Sequence, residues 1–475
     1  MTTDLTIRNA RILTPEGEVT GDLAVAGGRI AAIGPGLSTA LPRAAAEIDA
    51  GGLLLLPGGI DSHCHMDQRP VNGEGVHPDD FTTATSAAAA GGVTTVIPQS
   101  MSGRGDDIAA NLREYLAKAG GRAVVDYSAI IQMPEADPAF LSATLPRLVD
   151  EGFPTLKIFT TYEGYTLSDA EILRVLEAAA PLGVLSCIHA EDDALLTWAT
   201  AKALREGRTG LTEQPKARPV EGEAGMIARV ATYARVTGAA VHVYHVTGRL
   251  PLAAIAEAQA LGARVTGETC PQYLTFSEDD LDRPDFDGAR FLASPALRGA
   301  EDRAALWAAL ADGGLASYAS DHSPSHRMAK IARAQERAAR GEATPFTEMG
   351  GGSPGLQVLL PVLFSEGVVR GRIGLDRFAE LTAGAPARLF GLAGRKGRIA
   401  VGYDADLVLW DPAQRWTVRQ ADMLSRVDFT PWEGMELTGR PVMTFVRGRL
   451  VAEDGTVADG AVGHGRLVFR EQGAA

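Results

Sequence analysis

Apolar and polar positions alternate with period two at the start of the chain. Leu5-Thr-Ile7 and Asp22-Leu-Ala-Val25 read as strands, Ala26-Gly-Gly-Arg29 as a turn, and 29–33 as a return strand. This predicts a small antiparallel β region ending near Pro57. From Gly58 the pattern changes to short, apolar, β-prone runs separated by helix-like stretches. The first run ends at Ile60, and others cover 92–97, 123–130, 155–159, 184–188, 241–244, 264–269 and 315–319. Helical spacing is found over 106–119, 169–180, 222–237 and 252–261. Repeated strand-helix units imply a parallel sheet, and eight of them suggest closure into a (β/α)8 barrel. The Ala/Arg/Lys/Glu-rich stretch 328–342 predicts a solvated helix after the eighth strand, with a mobile cover for the barrel mouth as the alternative. After Phe390 strand grammar returns, with turns at Gly397 and Gly402 inside 396–410 and further strands at 442–446, 449–451 and 466–469. The predicted fold class is therefore α/β: a TIM barrel over 57–389 beside a small β-sandwich formed by both chain ends, 1–56 and 390–475.

A chain of 475 residues is long enough for both units. Hydrophobic content of 45% and charged content of 22% suit a globular protein. The net charge of −14 argues against nucleic acid or an anionic membrane as a partner. The apolar run Leu53–Leu56 is far too short to span a bilayer. The start of the sequence shows no cationic stretch followed by an apolar one, so a signal peptide is not expected. Three scattered cysteines, Cys64, Cys187 and Cys270, make neither a disulfide framework nor a CxxC pattern. Reduced thiols and a cytoplasmic location are expected.

The chemistry-bearing residues gather where the predicted strands end. His63 and His65 lie in Gly-Ile-Asp-Ser-His-Cys-His, Lys157 in Thr-Leu-Lys-Ile-Phe, His189 in Ser-Cys-Ile-His-Ala-Glu, His245 in Val-His-Val-Tyr-His, and Asp321 in Tyr-Ala-Ser-Asp-His. The C-terminal ends of barrel strands form the catalytic face. Residues i and i+2 of a strand share a face, so both imidazoles of the HxH pair can reach one ion. A single histidine at a strand end is more often a core residue, but matched positions on several strands favour ligands. Lys157, inside an apolar strand, is expected to be poorly solvated and therefore neutral. A neutral amine can add carbon dioxide, and the resulting carbamate offers two oxygens to two metals. Asp321 beside an activated water can act as general base and then general acid. His77, His242, His326 and His464 lack such placement and read as structural or surface, and His322 as at most a support to the site.

These residues resemble the amidohydrolase superfamily, specifically the cyclic amidohydrolases: hydantoinase and dihydropyrimidinase, with allantoinase and dihydroorotase as relatives. Gly267-Glu-Thr-Cys-Pro-Gln-Tyr-Leu274, Gly402-Tyr-Asp-Ala-Asp-Leu-Val-Leu409 and Trp432-Glu-Gly-Met435 extend the likeness over nearly the whole chain. The resemblance implies two divalent ions, zinc first with manganese or cobalt as alternatives, bridged by N6-carboxylysine at Lys157 and by a hydroxide. One ion takes His63, His65, Lys157 and Asp321, and the other Lys157, His189 and His245. It implies hydrolytic ring opening of a small-molecule cyclic amide, ureide or imide by a homotetramer. Tyr162 stands five residues after Lys157, where hydantoinases place an oxyanion-holding tyrosine, and Ser294 matches a position that contacts the ring amide. Asp321-His-Ser-Pro and Gly351-Gly-Ser-Pro-Gly-Leu-Gln357 look more like allantoinase; Gly351 stands where hydantoinases usually carry Asn, whose main chain contacts substrate. Asp67 replaces the substrate-binding Arg of dihydroorotases, which ranks that activity low. Allantoinase is the alternative reading. A non-catalytic dihydropyrimidinase-related scaffold ranks lower because all six ligand positions are kept, and another metal-dependent hydrolase because Tyr162 and Ser294 together point to a ring amide. Loops at 66–78 and 152–167 are expected to shape the substrate pocket.

Overall fold

A computed structural model describes residues 3–37, 44–69 and 77–473. Of the expected pocket loop at 66–78, residues 70–76 lie outside the described residues, as do Met1 and Thr2 at the start of the chain. Parallel strands form the barrel in the order expected from sequence. The first is Gly59–Asp61, the fourth Thr155–Phe159, the fifth Leu185–His189, the sixth Ala240–Val243, the seventh Val265–Thr269 and the eighth Ser317–Tyr318. The second and third strands are each broken in two. Val93–Val96 pairs with Gly59–Asp61 and Asp126–Tyr127, whereas Gln99–Ser100 pairs with Ile130–Gln132. Pro98, which has no N–H for a ladder, falls at the first break. At the second, the Arg470 guanidinium takes the Ser128 hydroxyl and the Ala129 carbonyl. The ring closes between the first and eighth strands through a bridge of Cys64 to His322 and a hydrogen bond from the His65 N–H to the His322 carbonyl at 2.8 Å.

Strand alternation sorts side chains into layers. Leu156, Ile158, Ile188, Val241 and Val243 face the surrounding helices and join the main core. Lys157, Cys187 and His242 are aligned neighbours on adjacent strands and take the other face, towards the barrel axis. Ile60, Ile97, Ile130, Leu185, Ala240, Phe390 and Val468 seal the barrel beneath them. Helices at Ile108–Ala119, Asp169–Ala179, Val220–Thr237 and Arg249–Ala260 fill the four helical stretches expected. Phe81–Ala90, Asp193–Arg205 and Ala300–Asp312 are further helices that the periodicity did not reveal. Met328–Ala339 is a helix that buries Ile331 and Ala334 and leaves most of its charged side chains outside.

Both chain ends meet in one nine-stranded sheet that folds over a shared core of Leu5, Ile7, Ile12, Leu23, Val25, Leu55, Leu407, Leu409 and Phe445. Leu54–Pro57 joins the halves, parallel to Leu5–Thr14 and antiparallel to Leu407–Thr417. The N-terminal part is thus mixed, not purely antiparallel as expected, because the joining strand must fit between the two halves. Its residues alternate: Leu55 enters the sheet's own core, while Leu54 and Leu56 enter the barrel core. That explains an uninterrupted apolar run, since both faces are buried. Two other expectations shift. The strand starts at Leu407, not within the turn-rich 396–402. Residues 466–469 do not add to this sheet. They lie along Asp126–Tyr127 beneath the barrel, with Tyr127 N–H bonded to the Arg466 carbonyl and Val468 N–H to that of Tyr127. None of the helices among the described residues is long and apolar enough to cross a membrane.

A buried ion cluster fastens the sheet to the barrel. The ammonium of Lys396, 1% exposed, donates to Asp126 at 2.8 Å and to Asp406, and lies 3.4 Å from Asp404. Arg447 also binds Asp126, and Arg395 binds Asp404 at 2.8 Å. The three aspartates are close enough together to suggest a cation site. Lys396 itself already supplies the positive charge, so the cluster reads as structural. Breaking a buried ion cluster from one side leaves uncompensated charge. Lys396→Ala is expected to cost roughly 3–5 kcal/mol, read as a lower midpoint in urea unfolding followed by circular dichroism. An unchanged midpoint would mean that the cluster does not hold the two units together.

Candidate active site

The barrel topology carries the sequence-predicted residues to one rim. His63 and His65 follow the first strand, Lys157 lies within the fourth, His189 ends the fifth, and His245 and Asp321 sit just past the sixth and eighth. Nε2 of His63 and of His65 lie 3.2 and 3.5 Å from the same Asp321 carboxylate oxygen. These three side chains could grip one ion. Nδ1 of His189 and Nε2 of His245 face each other at 2.8 Å. The His63 and His245 rings are 5.3 Å apart, which puts the two pairs side by side. Lys157, 1% exposed, lies over the rings of Tyr244 and Phe159, its ammonium 4.1 and 4.7 Å from their centroids. Tyr244 stacks on His63 at 3.6 Å, so the lysine lies next to the first histidine pair.

Burial sets the protonation states. Desolvation, then the nearby Lys157 charge, drives His63 well below the ordinary imidazole range. His245 falls just as far, by burial and then the neighbouring His189 and Lys157, and His189 is lowered by burial too. Neutral imidazoles have lone pairs free to ligate. Lys157 is lowered to about 8, again by burial, against the pull of Asp321.

Carboxylates and amides that sequence reasoning did not single out hold the rings. Nδ1 of His63 meets Glu268 Oε1 at 2.6 Å, Nε2 of His189 meets Glu191 Oε2 at 2.7 Å, and Nδ1 of His65 faces the Gln68 amide. Metal-binding histidines characteristically commit the remote nitrogen in this way, which fixes the ring and aims the other nitrogen at the ion. The His245 Nδ1 is the exception, a buried nitrogen with no partner among the described residues. The donor set therefore fits divalent cations: imidazole nitrogens and a carboxylate, most of them oriented from behind. Glu268 and Glu191 each stood inside a quoted motif. The usable signal was an acid within a strand or at its end, where burial demands a partner. Glu268 also meets Nε2 of His242 at 3.3 Å, which gives His242 a structural role. Nε2 of His322 donates to the Asp79 carboxylate, 3.0 Å away.

Tyr162 faces the second histidine pair, its ring 4.9 Å from His189. Burial raises its phenol to about 12, so it stays protonated and can donate. The nearby Ser294 side chain offsets part of that rise. Gly351 packs directly on Ser294: a Cβ there would lie 2.7 Å from the Ser294 hydroxyl oxygen. Tyr162, His245 and Asp321 all have left-handed backbone, with φ of 86°, 42° and 44°. Non-glycine residues there are strained by about 1–3 kcal/mol each, a pattern typical of functional sites. Beside Tyr162, Met101, Phe159 and Tyr165 form a small apolar cluster. A cavity of about 520 Å³ lies elsewhere, among Leu13, Pro57, Arg377, Glu380 and Ile399, and contains none of these residues.

Known proteins match both sequence and fold. The model of the amidohydrolase family matches residues 54–451. A D-hydantoinase of Geobacillus stearothermophilus is 36% identical over 466 residues, covering 98% of this chain and 96% of that protein. A D-phenylhydantoinase of Escherichia coli O1:K1 / APEC is 35% identical, covering 98% of each. The crystal structure of a dihydropyrimidinase from Brevibacillus agri NCHU1002 superposes with a TM-score of 0.93 at 34% identity, covering 100% of both chains.

The Glu268 brace is open to a direct test. Glu268→Ala frees Nδ1 of His63 and is expected to weaken metal binding about 10–100-fold, measured by zinc competition with a chromophoric chelator. Unchanged affinity would show that His63 needs no brace.

Proposed function

We propose that this chain, which belongs to the amidohydrolase family and is a metal-dependent hydrolase of cyclic amides, opens a hydantoin or dihydropyrimidine ring. The observation that carries this reading is the convergence of four imidazoles, Asp321 and Lys157 on one barrel rim, with the Tyr162 phenol facing them. His63, His65 and Asp321 would hold one divalent ion and His189 and His245 a second, with zinc the first candidate and manganese or cobalt the others. Lys157 would serve both as a carbamate: its neutral amine bonds to the carbon of carbon dioxide and releases a proton to solvent. When bound, two such ions lower the pKa of water and polarise a carbonyl.

The chain's own groups do the rest. Asp321 accepts the proton of the attacking water and delivers it to the departing ring nitrogen. Tyr162, held protonated, donates to the oxygen that gains negative charge. Ser294, beside that phenol, orients the ring amide together with the main chain at Gly351. Ring preference follows the named relatives, which are hydantoinases and dihydropyrimidinases, over the allantoin reading that the Gly351 stretch had suggested. We further propose a homotetramer, by likeness to the family. The exposed Trp198 and Val236 supply apolar surface for it. A cytoplasmic setting is supported by three buried, unpaired cysteines.

Purified protein loaded with zinc or manganese is expected to open hydantoin or dihydrouracil, with Lys157→Ala inactive in the same ultraviolet assay. Turnover of allantoin alone would overturn the ring assignment, and silence on every ring would overturn the substrate class. Carbamate formation has its own pH signature. The amine is neutral above its pKa of about 8, and its neutral fraction falls tenfold for each pH unit below. At fixed dissolved carbon dioxide, the rate at which apoprotein regains tight metal binding is expected to rise from pH 6 to about 8 and then level off. A rate independent of pH would argue against an amine that must first lose its proton.

A further inference from the structure

One largely buried cation touches both the Tyr162 phenol and the acid behind His189. Arg218 follows the short helix Gln214–Ala217, and only 17% of its side chain is exposed. Its guanidinium grips Glu191 with two nitrogens, Nε to Oε1 at 3.1 Å and Nη2 to Oε2. The same Nη2 lies 3.4 Å from the Tyr162 hydroxyl, and the guanidinium sits 5.7 Å from the centre of the tyrosine ring. Glu191 is fully buried, and its Oε2 also meets Nε2 of His189. Burial alone would raise this carboxyl, but Arg218 and then His189 bring it down to about 2, so it is a permanent anion.

Arg218 is itself held. Its carbonyl accepts from Arg298 Nη1 at 2.6 Å, and Arg298 reaches the buried Glu223 at 3.4 Å. Glu223 accepts from the N–H and hydroxyl of Thr247, two residues beyond His245. Four residues earlier, Gln214 donates to the carbonyl of Ala293, the neighbour of Ser294. The segment that carries Arg218 is thus tied to the chain near His245 and near Ser294. A bidentate arginine on a buried carboxylate is rigid in a way lysine cannot reproduce.

We propose, building on the functional reading above, that Arg218 is a positioning residue that couples the Tyr162 phenol to His189. Its Nε and Nη2 fix Glu191 behind the histidine, and the same Nη2 aims the phenol. A cation beside the phenol oxygen also strengthens the phenol as a hydrogen-bond donor. Arg218 then acts on the reaction only through these two partners.

The test uses the zinc-loaded full chain with Arg218→Gln, Arg218→Lys, Tyr162→Phe and the two double variants, on the ring that the wild type opens. Arg218→Gln is expected to lower kcat about 10–100-fold, the range for supports behind a site, with KM within about threefold. In the Tyr162→Phe background the same change is expected to cost at least threefold less, because one of its two partners is gone. Arg218→Lys is expected to fall between wild type and Arg218→Gln, and it carries the comparison if the glutamine variant does not fold. Equal losses in both backgrounds would overturn the coupling, and so would a change confined to KM. Should the wild type open no ring, the functional reading fails and metal binding decides on Arg218. Zinc competition is then expected to show the second equivalent weakened about tenfold or more in Arg218→Gln. Unchanged affinity for that equivalent would overturn the link to His189.

Discussion

Desolvation at the barrel rim is the constraint on which the rest of this structure depends. His63, His189, His245 and Lys157 crowd into a space where burial disfavours their charged forms. Such a cluster suits divalent ions because the charge is left for the metals to bring. Neutral rings are also free to flip and exchange tautomers, and an ion site tolerates neither. Glu268 and Glu191 remove that freedom by taking the remote nitrogens of His63 and His189. Burying those acids in turn requires partners of their own, which His242 and Arg218 provide. Each shell of the site therefore follows from the one inside it.

The fold answers the same demand at larger scale. A parallel barrel delivers strand ends from distant parts of the sequence to one rim, and its interior must be plugged below. The plug here combines apolar side chains with Arg470, which takes the Ser128 hydroxyl and Ala129 carbonyl at the break in the third strand and the Thr155 hydroxyl of the fourth. The sheet made by the two ends is bound to the barrel by the alternate residues of Leu54–Pro57 and Leu407–Thr417 and by the Lys396 cluster. Strained backbone at Tyr162, His245 and Asp321 is tolerated because this framework holds both flanks of each residue.

Much of this was legible in the sequence, for specific reasons. Strand-helix alternation has a strong period signal, so the central barrel strands fell close to where the runs predicted. The broken strands did not, because a proline and an arginine from far along the chain decide where the ladders stop. The segment around Leu467 read as one more sheet strand, since an apolar alternation cannot say which layer it will join. His63, His65, Lys157, His189, His245 and Asp321 stood out because strand ends share a rim. Their supports were harder to see. Glu268 and Glu191 were visible as acids in apolar company. Arg218 follows a short helix and offers no local pattern, so only the folded chain reveals its reach.

The position of Arg470 has a consequence for the order in which the molecule can be made. A ribosome releases the barrel strands first and the residues that plug them much later. Until Leu407–Thr417 and Arg470 emerge, the nascent barrel has an open underside, an unpartnered edge at Leu54–Pro57, and a gap in its third strand. The underside of the barrel is thus closed by a residue 342 positions along the chain from the break it fills.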